Sequence, residues 1–536
     1  MKKIILAVSA ISLISSGLFA DSTLGERSTR LDSMELNNYM TADGFNIFFN
    51  PANVAKQKTG AFLEIGRAAN GVGAIGETTN GGATTQDTQY TFNGFAGAFI
   101  DTGVGTVGLV LNRDNNFGSG FGMATSTRKN NIDLFYGIGI TETMNLGMRL
   151  TYASVENNND SSVLVNRTLA DKDSYNRNNS SYSSSNSEES GSDLTIQVGG
   201  QFIGIDATVA YGIYTYDQGT VPAAGHQKIT TYGPGAGLAL DSNVSEIFTK
   251  DDSTAKSSDG ASILELALAY TLPLSDTSSV TPYGVYQSVN YDMTIRQSAF
   301  EKTETFDTSD NKRKSEKVET NEESSSVTNS TDVLVLGAAY NLKPVENVLV
   351  VVAGEYTYAK YTNEQHTKTT QDQVIDTVFI PAPTTTNTTH GATGVTTNYT
   401  DTTTVNDLSI VIATEAYVTE TLALRFGLRE SVYHDSDYSD KDKLYNDVYT
   451  NDDKKTVGNN TSNDTSNTTN DETDESSNYN SQQPSMQLAV GFGYKATETV
   501  SVDGLVNADI FLRGPNFLSG QNHGVINARL AVNYNF

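Results

Sequence analysis

The chain closes on N-A-R-L-A-V-N-Y-N-F, residues 527–536. Read in steps of two back from Phe536, one face carries Tyr534, Val532, Leu530, Ala528 and Ile526, and the other carries Asn535, Asn533, Ala531, Arg529 and Asn527. A two-residue period with one apolar face marks a half-buried β-strand. Such a strand, apolar up to its terminal carboxylate, is an aggregation-prone edge unless another strand pairs with it.

The same period recurs along the chain. Met486, Leu488, Val490, Phe492 and Tyr494 oppose Gln487, Ala489, Gly491, Gly493 and Lys495. Leu422, Leu424, Phe426 and Leu428 oppose Ala423, Arg425, Gly427 and Arg429. Leu146, Met148, Leu150 and Tyr152 oppose Gly147, Arg149, Thr151 and Ala153, and Leu264, Leu266, Leu268 and Tyr270 oppose Glu265, Ala267, Ala269 and Thr271. Each run is about ten residues, the length of a tilted strand crossing a bilayer. Apolar on one face and small or polar on the other is the pattern of a transmembrane barrel wall.

The links between runs alternate in length. Short ones fall at 101–103, 141–145, 202–204, 275–279, 343–346, 419–421 and 496–499, with long ones between them. From a first strand near 59–67 to a last at 524–536, this predicts an all-β fold. It is a transmembrane antiparallel β-barrel of about sixteen strands (fourteen being the alternative) with long extracellular loops. Closure pairs the last strand with the first, so the terminal apolar face meets lipid. With no tryptophan in the chain, its 27 tyrosines must supply the interfacial belts.

Bulk properties alone point elsewhere. A net charge of −28, 37% hydrophobic residues and a mean hydropathy of −0.36 describe a soluble acidic chain. The periodic arrangement of the apolar residues overrides that average. Met1-Lys2-Lys3 followed by the apolar run 4–19 and Leu18-Phe19-Ala20 predicts a signal peptide over 1–20. The absence of cysteine excludes disulfides and lipid attachment. Export and a barrel together predict a bacterial outer-membrane location, with both termini periplasmic and the long loops outside.

Residues 156–191, 217–258, 298–328, 363–402 and 435–482 are rich in Asn, Ser, Thr and acids, and are expected to be hydrated loops that bury no core. The acidic runs 435–442 and 470–475 leave two readings, a solvated surface or a site for divalent cations or a partner. His226, His366, His390, His434 and His523 show no zinc-binding spacing, and no Ser/His/acid set appears on an inward register. The expectation is no metal, no cofactor, no nucleic acid and no enzymatic activity.

Residues 21–58 break the two-residue period. Phe45, Ile47, Phe48 and Phe49 precede the first strand, and the expected place for them is the mouth of the barrel, as a plug. Gly97, Gly108, Gly137, Gly139, Gly199, Gly212, Gly337, Gly427, Gly491 and Gly493 lie on the inward register. They either give a second backbone clearance or ease wall curvature. The barrel then spans 59–536.

Asp43, Asn46 and the run Asn50-Pro51-Ala52, placed just ahead of a first strand, resemble the N-terminal hatch of the long-chain fatty-acid transporter family of outer-membrane barrels. The resemblance implies a hatch that closes the lumen beside a hydrophobic ligand site, with Asp43, Asn46, Asn50, Pro51 and Ala52 in it; Phe48 joins them on its own apolar character. The strand count exceeds that family's, and Arg27–Asp32 replaces its glycine-rich lead-in. The terminal Tyr534 and Phe536 also resemble the C-terminal signal that the barrel-assembly machinery reads in this class.

The inward register carries Glu64, Asp193, Asp206, Glu265, Glu355, Glu415, Asp503 and Asp509 against Arg149, Arg425, Arg429 and Arg529. In a water-filled pore this balance attracts cations. Three functions follow: a plug-gated channel for passive uptake of small solutes, hydrophobic ones included; an open cation-preferring porin; or a surface structural or adhesion protein on a barrel pedestal. The register also predicts that Leu424→Arg costs about 2–4 kcal/mol near the bilayer midplane and Arg425→Leu far less.

Overall fold

The computed structural model describes residues 27–65, 94–113, 129–169, 177–232, 242–257, 261–307, 312–378, 386–451, 471–481, 486–507 and 528–536. The leader 1–20, Asp509 and His523 lie outside them. The strands begin with β1 (Gly60–Ile65), β2 (Gly94–Asp101), β3 (Thr106–Leu111), β4 (Lys129–Thr141), β5 (Met144–Leu169) and β6 (Arg177–Phe202). They continue with β7 (Ile205–Tyr232), β8 (Ser242–Ser257), β9 (Ala261–Tyr270), β10 (Leu272–Ser275), β11 (Ser278–Asp307), β12 (Lys312–Val345) and β13 (Val348–Val378). The last are β14 (Thr386–Tyr417), β15 (Leu422–Asn451), β16 (Asp471–Ser481), β17 (Met486–Lys495), β18 (Val500–Asn507) and β19 (Ala528–Asn535).

All pair antiparallel in one sheet. β8 and β9 follow one another along the same gap between β7 and β11, with β10 continuing β9 along β11. β16 and β17 likewise share one side of β15. The segments therefore fill sixteen wall positions, the number the hairpin count predicts. β1 closes the ring by pairing with both β2 and β19, with Leu63 opposite Val532. The terminal strand is no edge: the Phe536 amide donates to the Thr59 carbonyl at 3.0 Å.

The register falls as the alternation requires. Leu424 is 51% exposed and its neighbour Arg425 5%. Leu63, Leu134, Met148, Ile196, Leu268, Ile412 and Phe426 share the outer face. A closed barrel satisfies every wall hydrogen bond, so this apolar band can face hydrocarbon. Leu424→Arg should cost about 2–4 kcal/mol, read from urea unfolding followed by gel mobility of unheated samples. A cost near zero would place the band in water.

The predicted short turns are present. In Thr141-Glu-Thr143, Thr419-Glu-Thr421 and Thr497-Glu-Thr499 the first threonine hydroxyl accepts the amide of the third, at 3.3, 3.3 and 3.2 Å. That local bond mimics a backbone turn and repeats at three of the hairpins.

The expected loops differ. Much of 156–191, 217–258, 298–328, 363–402 and 435–482 continues the wall as paired strands. β12 runs 34 residues and stays in register with β13 from Leu342↔Val350 to Ser315↔Thr377. At about 3.3 Å per residue that is roughly 110 Å, far beyond a hydrocarbon core of about 30 Å. The threonine-rich tract 386–404 is strand β14. Outside the membrane both faces meet water, so such strands need no apolar alternation. They need only a neighbour for each peptide group and side chains such as Thr, Val and Tyr that suit the pleat.

Candidate functional site

The segment 27–58 lies inside the wall. Ser28 caps a short helix, Thr29–Asp32, by accepting the Leu31 amide at 3.1 Å. A second short helix covers Asn46–Phe49. Asn50 then caps a 3₁₀ helix, Pro51–Lys56, accepting the Ala52 amide at 3.0 Å, with Pro51 in the first helical position where no amide partner is needed.

Glycine decides how this backbone approaches the wall. A Cβ built at Gly147 falls on the Pro51 carbonyl, one at Gly137 on the Ala55 amide, and one at Gly199 on the Asn50 side chain. Gly427 stands in the same way against Met34 and Gly491 against Ser33. Gly97, Gly108 and Gly337 serve differently: each lies under the ring of its cross-strand partner, Phe62, Phe99 and Tyr283. Gly493 makes room for Arg425 and Gly212 for Thr195, while at Gly139 an added Cβ nears only the Asn145 side chain. The inward glycines thus give clearance to the segment at some positions and to wall side chains at others.

On the β1–β6 side the contact is aromatic. Phe45 and Phe48 join Phe62, Phe95, Phe99 and Phe135 in one buried cluster, with Phe45 and Phe62 centroids 5.0 Å apart. Arg149 and Arg113 lie over the Phe48 ring at 5.3 and 5.6 Å, and Gln197 donates to the Phe48 carbonyl at 3.1 Å. The two-residue rule assigned large apolar side chains to lipid and so missed these wall phenylalanines. The signal was there, since Phe62 shares its register with Glu64 and Phe95 and Phe99 share theirs with Gly97. On the opposite side Leu31, Met34, Leu36, Met40 and Phe49 pack on Ala267, Ala269, Tyr283, Val285, Ala339, Val351, Ala353, Val411 and Ala413.

Among the described residues, the lumen charges named from sequence are bonded rather than bare. Glu415 takes Arg30 at 2.6 and 3.0 Å and Arg425 at 2.7 Å, and Arg425 also reaches Asp503 at 2.7 Å. Glu355 receives Arg429 at 2.7 Å, Tyr283 at 3.0 Å, Asn37 at 3.1 Å and Tyr39 at 3.2 Å. Burial, with the Glu355 carboxylate beside it, holds the Tyr39 phenol well above its ordinary value, so it stays a donor. Arg149 pairs with Asp133 at 3.0 Å, and Arg529 with Asp32 of the segment. Glu64 accepts the Thr29 amide at 3.0 Å, Asp193 the Thr195 hydroxyl at 3.0 Å, and Glu265 the Gln287 amide at 2.7 Å. Of these acids, Glu355, Glu415 and Asp503 are paired with arginines, so part of the acid excess is neutralised within the lumen.

Of the residues expected to form a hatch, Asn50, Pro51 and Ala52 sit where segment and wall meet. Asn50 donates to the Gly200 carbonyl at 2.9 Å and to Asp206 at 2.8 Å; Ala52 and Phe48 are fully buried. Asp43 pairs with Arg30 at 3.2 Å, and Asn46 donates to the Thr41 carbonyl at 3.2 Å. At the other end Tyr534 and Phe536 point outward with centroids 4.6 Å apart.

One histidine departs from expectation. A register shift after Leu408 brings His434 to 3.2 Å from Asp407, which also accepts from Ser409 and Ser431. The Ser431 hydroxyl bonds the carboxylate and the Tyr433 carbonyl, not the imidazole, so this is not a nucleophile–base pair.

No protein-family model matches the chain, and no curated protein does either. Among solved structures, the FrpB iron transporter from Neisseria meningitidis is 10% identical, covering 91% of this chain and 84% of that one with a TM-score of 0.24. The ferric-catecholate import receptor Fiu from E. coli K12 is 9% identical over 90% and 82%, TM-score 0.23. The siderophore receptor PirA from Acinetobacter baumannii is 9% identical over 90% and 81%, TM-score 0.19. Likenesses this low carry no argument about ligand or mechanism.

Proposed function

We propose that this chain is an outer-membrane channel for passive uptake of small solutes, with residues 27–58 as the plug that occludes its lumen at rest. The observation that carries the reading is the fit of the segment to the wall. Its backbone lies against glycines of β4, β5 and β15, its Asn50 and Ser33 side chains against glycines of β6 and β17, and other parts of it bond or pack on β1, β7, β11, β12, β13, β14 and β19.

Hydrophobic solutes are favoured by the inner wall. Further along it, Tyr214, Ile263, Val289 and Tyr291 form one apolar cluster and Val333, Ala359 and Val405 another. The resemblance to the fatty-acid transporter family draws support from Asn50, Pro51 and Ala52, which lock the segment to β5, β6 and β7. The sixteen wall positions remain a departure from it.

The short-turn end, with Thr59 and Phe536, is read as periplasmic, and the long hairpins as extracellular. Exposed Tyr534 and Phe536 suit recognition by the assembly machinery. The reading needs no metal, cofactor or catalytic group.

Deleting residues 27–58 should raise single-channel conductance in planar bilayers several-fold. Conductance equal to the intact chain would instead support the open porin. The length of the hairpins favours a second role, binding a partner at the surface. Trimming 435–482 should then abolish that binding and leave conductance unchanged.

A further inference from the structure

The segment inside the barrel is anchored along two arms. Residues 28–40 are fixed by Arg529, Gly427, Gly491, Glu64 and Glu355, and residues 46–56 by Gly137, Gly147, Gly199 and the Asn50 side chain. Between them Thr41–Phe45 turns with Ala42 and Gly44 exposed. Arg30 does most to hold this turn. It donates to the Ala42 carbonyl at 3.0 Å and meets Asp43 at 3.2 Å, while its other nitrogens grip Glu415 on the wall. Gln57 adds one bond, to the Gly44 carbonyl at 3.0 Å.

Beside the turn is a cavity of about 320 Å³, lined by Gly44, Phe45, Phe62, Glu64, Asp503 and Asn533 among others from β1, β18 and β19. A Cβ built at Gly44 meets nothing within 4 Å, so the turn has room on that side.

We propose that the Arg30–Asp43 pair is the pin of a periplasmic gate. Releasing it lets Thr41–Phe45 shift into the cavity and opens a passage on the side the turn vacates, while both arms stay anchored. The inference rests on the reading of residues 27–58 as a plug. Arg30 keeps Glu415 in either state, so opening strips no buried wall charge of its partner. The Phe45 ring against Phe62 and Phe95 makes the closed state the resting one, because opening uncovers aromatic surface.

The test uses the full chain in planar bilayers. Asp43→Asn keeps the oxygen that accepts the Phe45 amide at 2.9 Å but removes the charge facing Arg30. It should raise the open fraction by about tenfold, as expected when a two-state equilibrium loses one state-specific contact. The chain has no cysteine, so Gly44→Cys added to that variant gives one labelling site. A bulky maleimide applied from the short-turn side should then return the open fraction to the parental value. An Asp43→Asn channel no more open than the parent, when deletion of 27–58 does conduct, overturns the pin and leaves the plug intact. No effect of that deletion overturns the plug itself. Should Asp43→Asn fail to assemble, Gly44→Cys alone decides: labelling that abolishes spontaneous openings supports the gate, and labelling that leaves them untouched overturns it.

Discussion

Replacing Arg425 by leucine should destabilise the barrel by about 3 kcal/mol, the low end of what breaking a buried ion pair costs. The two-residue register alone predicts a cheap change, since an inward arginine in a wet pore would lose little. The structure makes it expensive. The guanidinium is 5% exposed and joins Glu415 on β14 to Asp503 on β18, each at 2.7 Å, while also donating to the Phe492 carbonyl at 3.1 Å. Leucine would strip Asp503 of its cation. Glu415 would retain Arg30, which is why the low end applies. Urea midpoints of the folded band before and after substitution measure the cost. A loss under about 1 kcal/mol is the value for exposed pairs, and would mean that water fills this part of the lumen.

Gly147→Leu should displace the Pro51–Lys56 helix and raise conductance toward that of the 27–58 deletion. The atoms in the way are the Pro51 carbonyl and the Ala52 amide, which are backbone and cannot rotate aside. Overpacking of this kind costs about 1–3 kcal/mol where side chains can adjust, and more where they cannot. Gly139→Leu, on the neighbouring strand β4 and the same inward register, is the control. Its added Cβ nears only the Asn145 side chain, 3.3 Å away, so conductance should stay at the parental level. Equal effects at both positions would assign these glycines to wall curvature.

The wall was legible in the sequence because lipid imposes one rule on every strand. Leu424 and Arg425, adjacent in sequence, end on opposite sides of it, and threonine turns mark three of the returns. Closure at Phe536 was legible for the same reason. The long hairpins were not, because 386–404 and 435–451 carry no hydrophobic alternation and their pairing is set by the neighbouring strand. The burial of Phe45–Phe49 against the wall was legible, since these are apolar residues with no strand to belong to. Their partners were not, since Arg30 and Glu415 are 385 residues apart and no local pattern links them. Bonding of that range also pairs part of the expected charged lining, Glu415 with Arg30 among it.

The segment emerges first during synthesis, yet Asp32 finds its arginine 497 residues later, on the strand that seals the cylinder. Its contacts with β14, β15, β17 and β19 can form only once almost all of the chain has been made. Docking of the segment is thus a late event in biogenesis, following closure of the seam. Variants that weaken it should still pair β1 with β19, and so accumulate as finished but leaky cylinders.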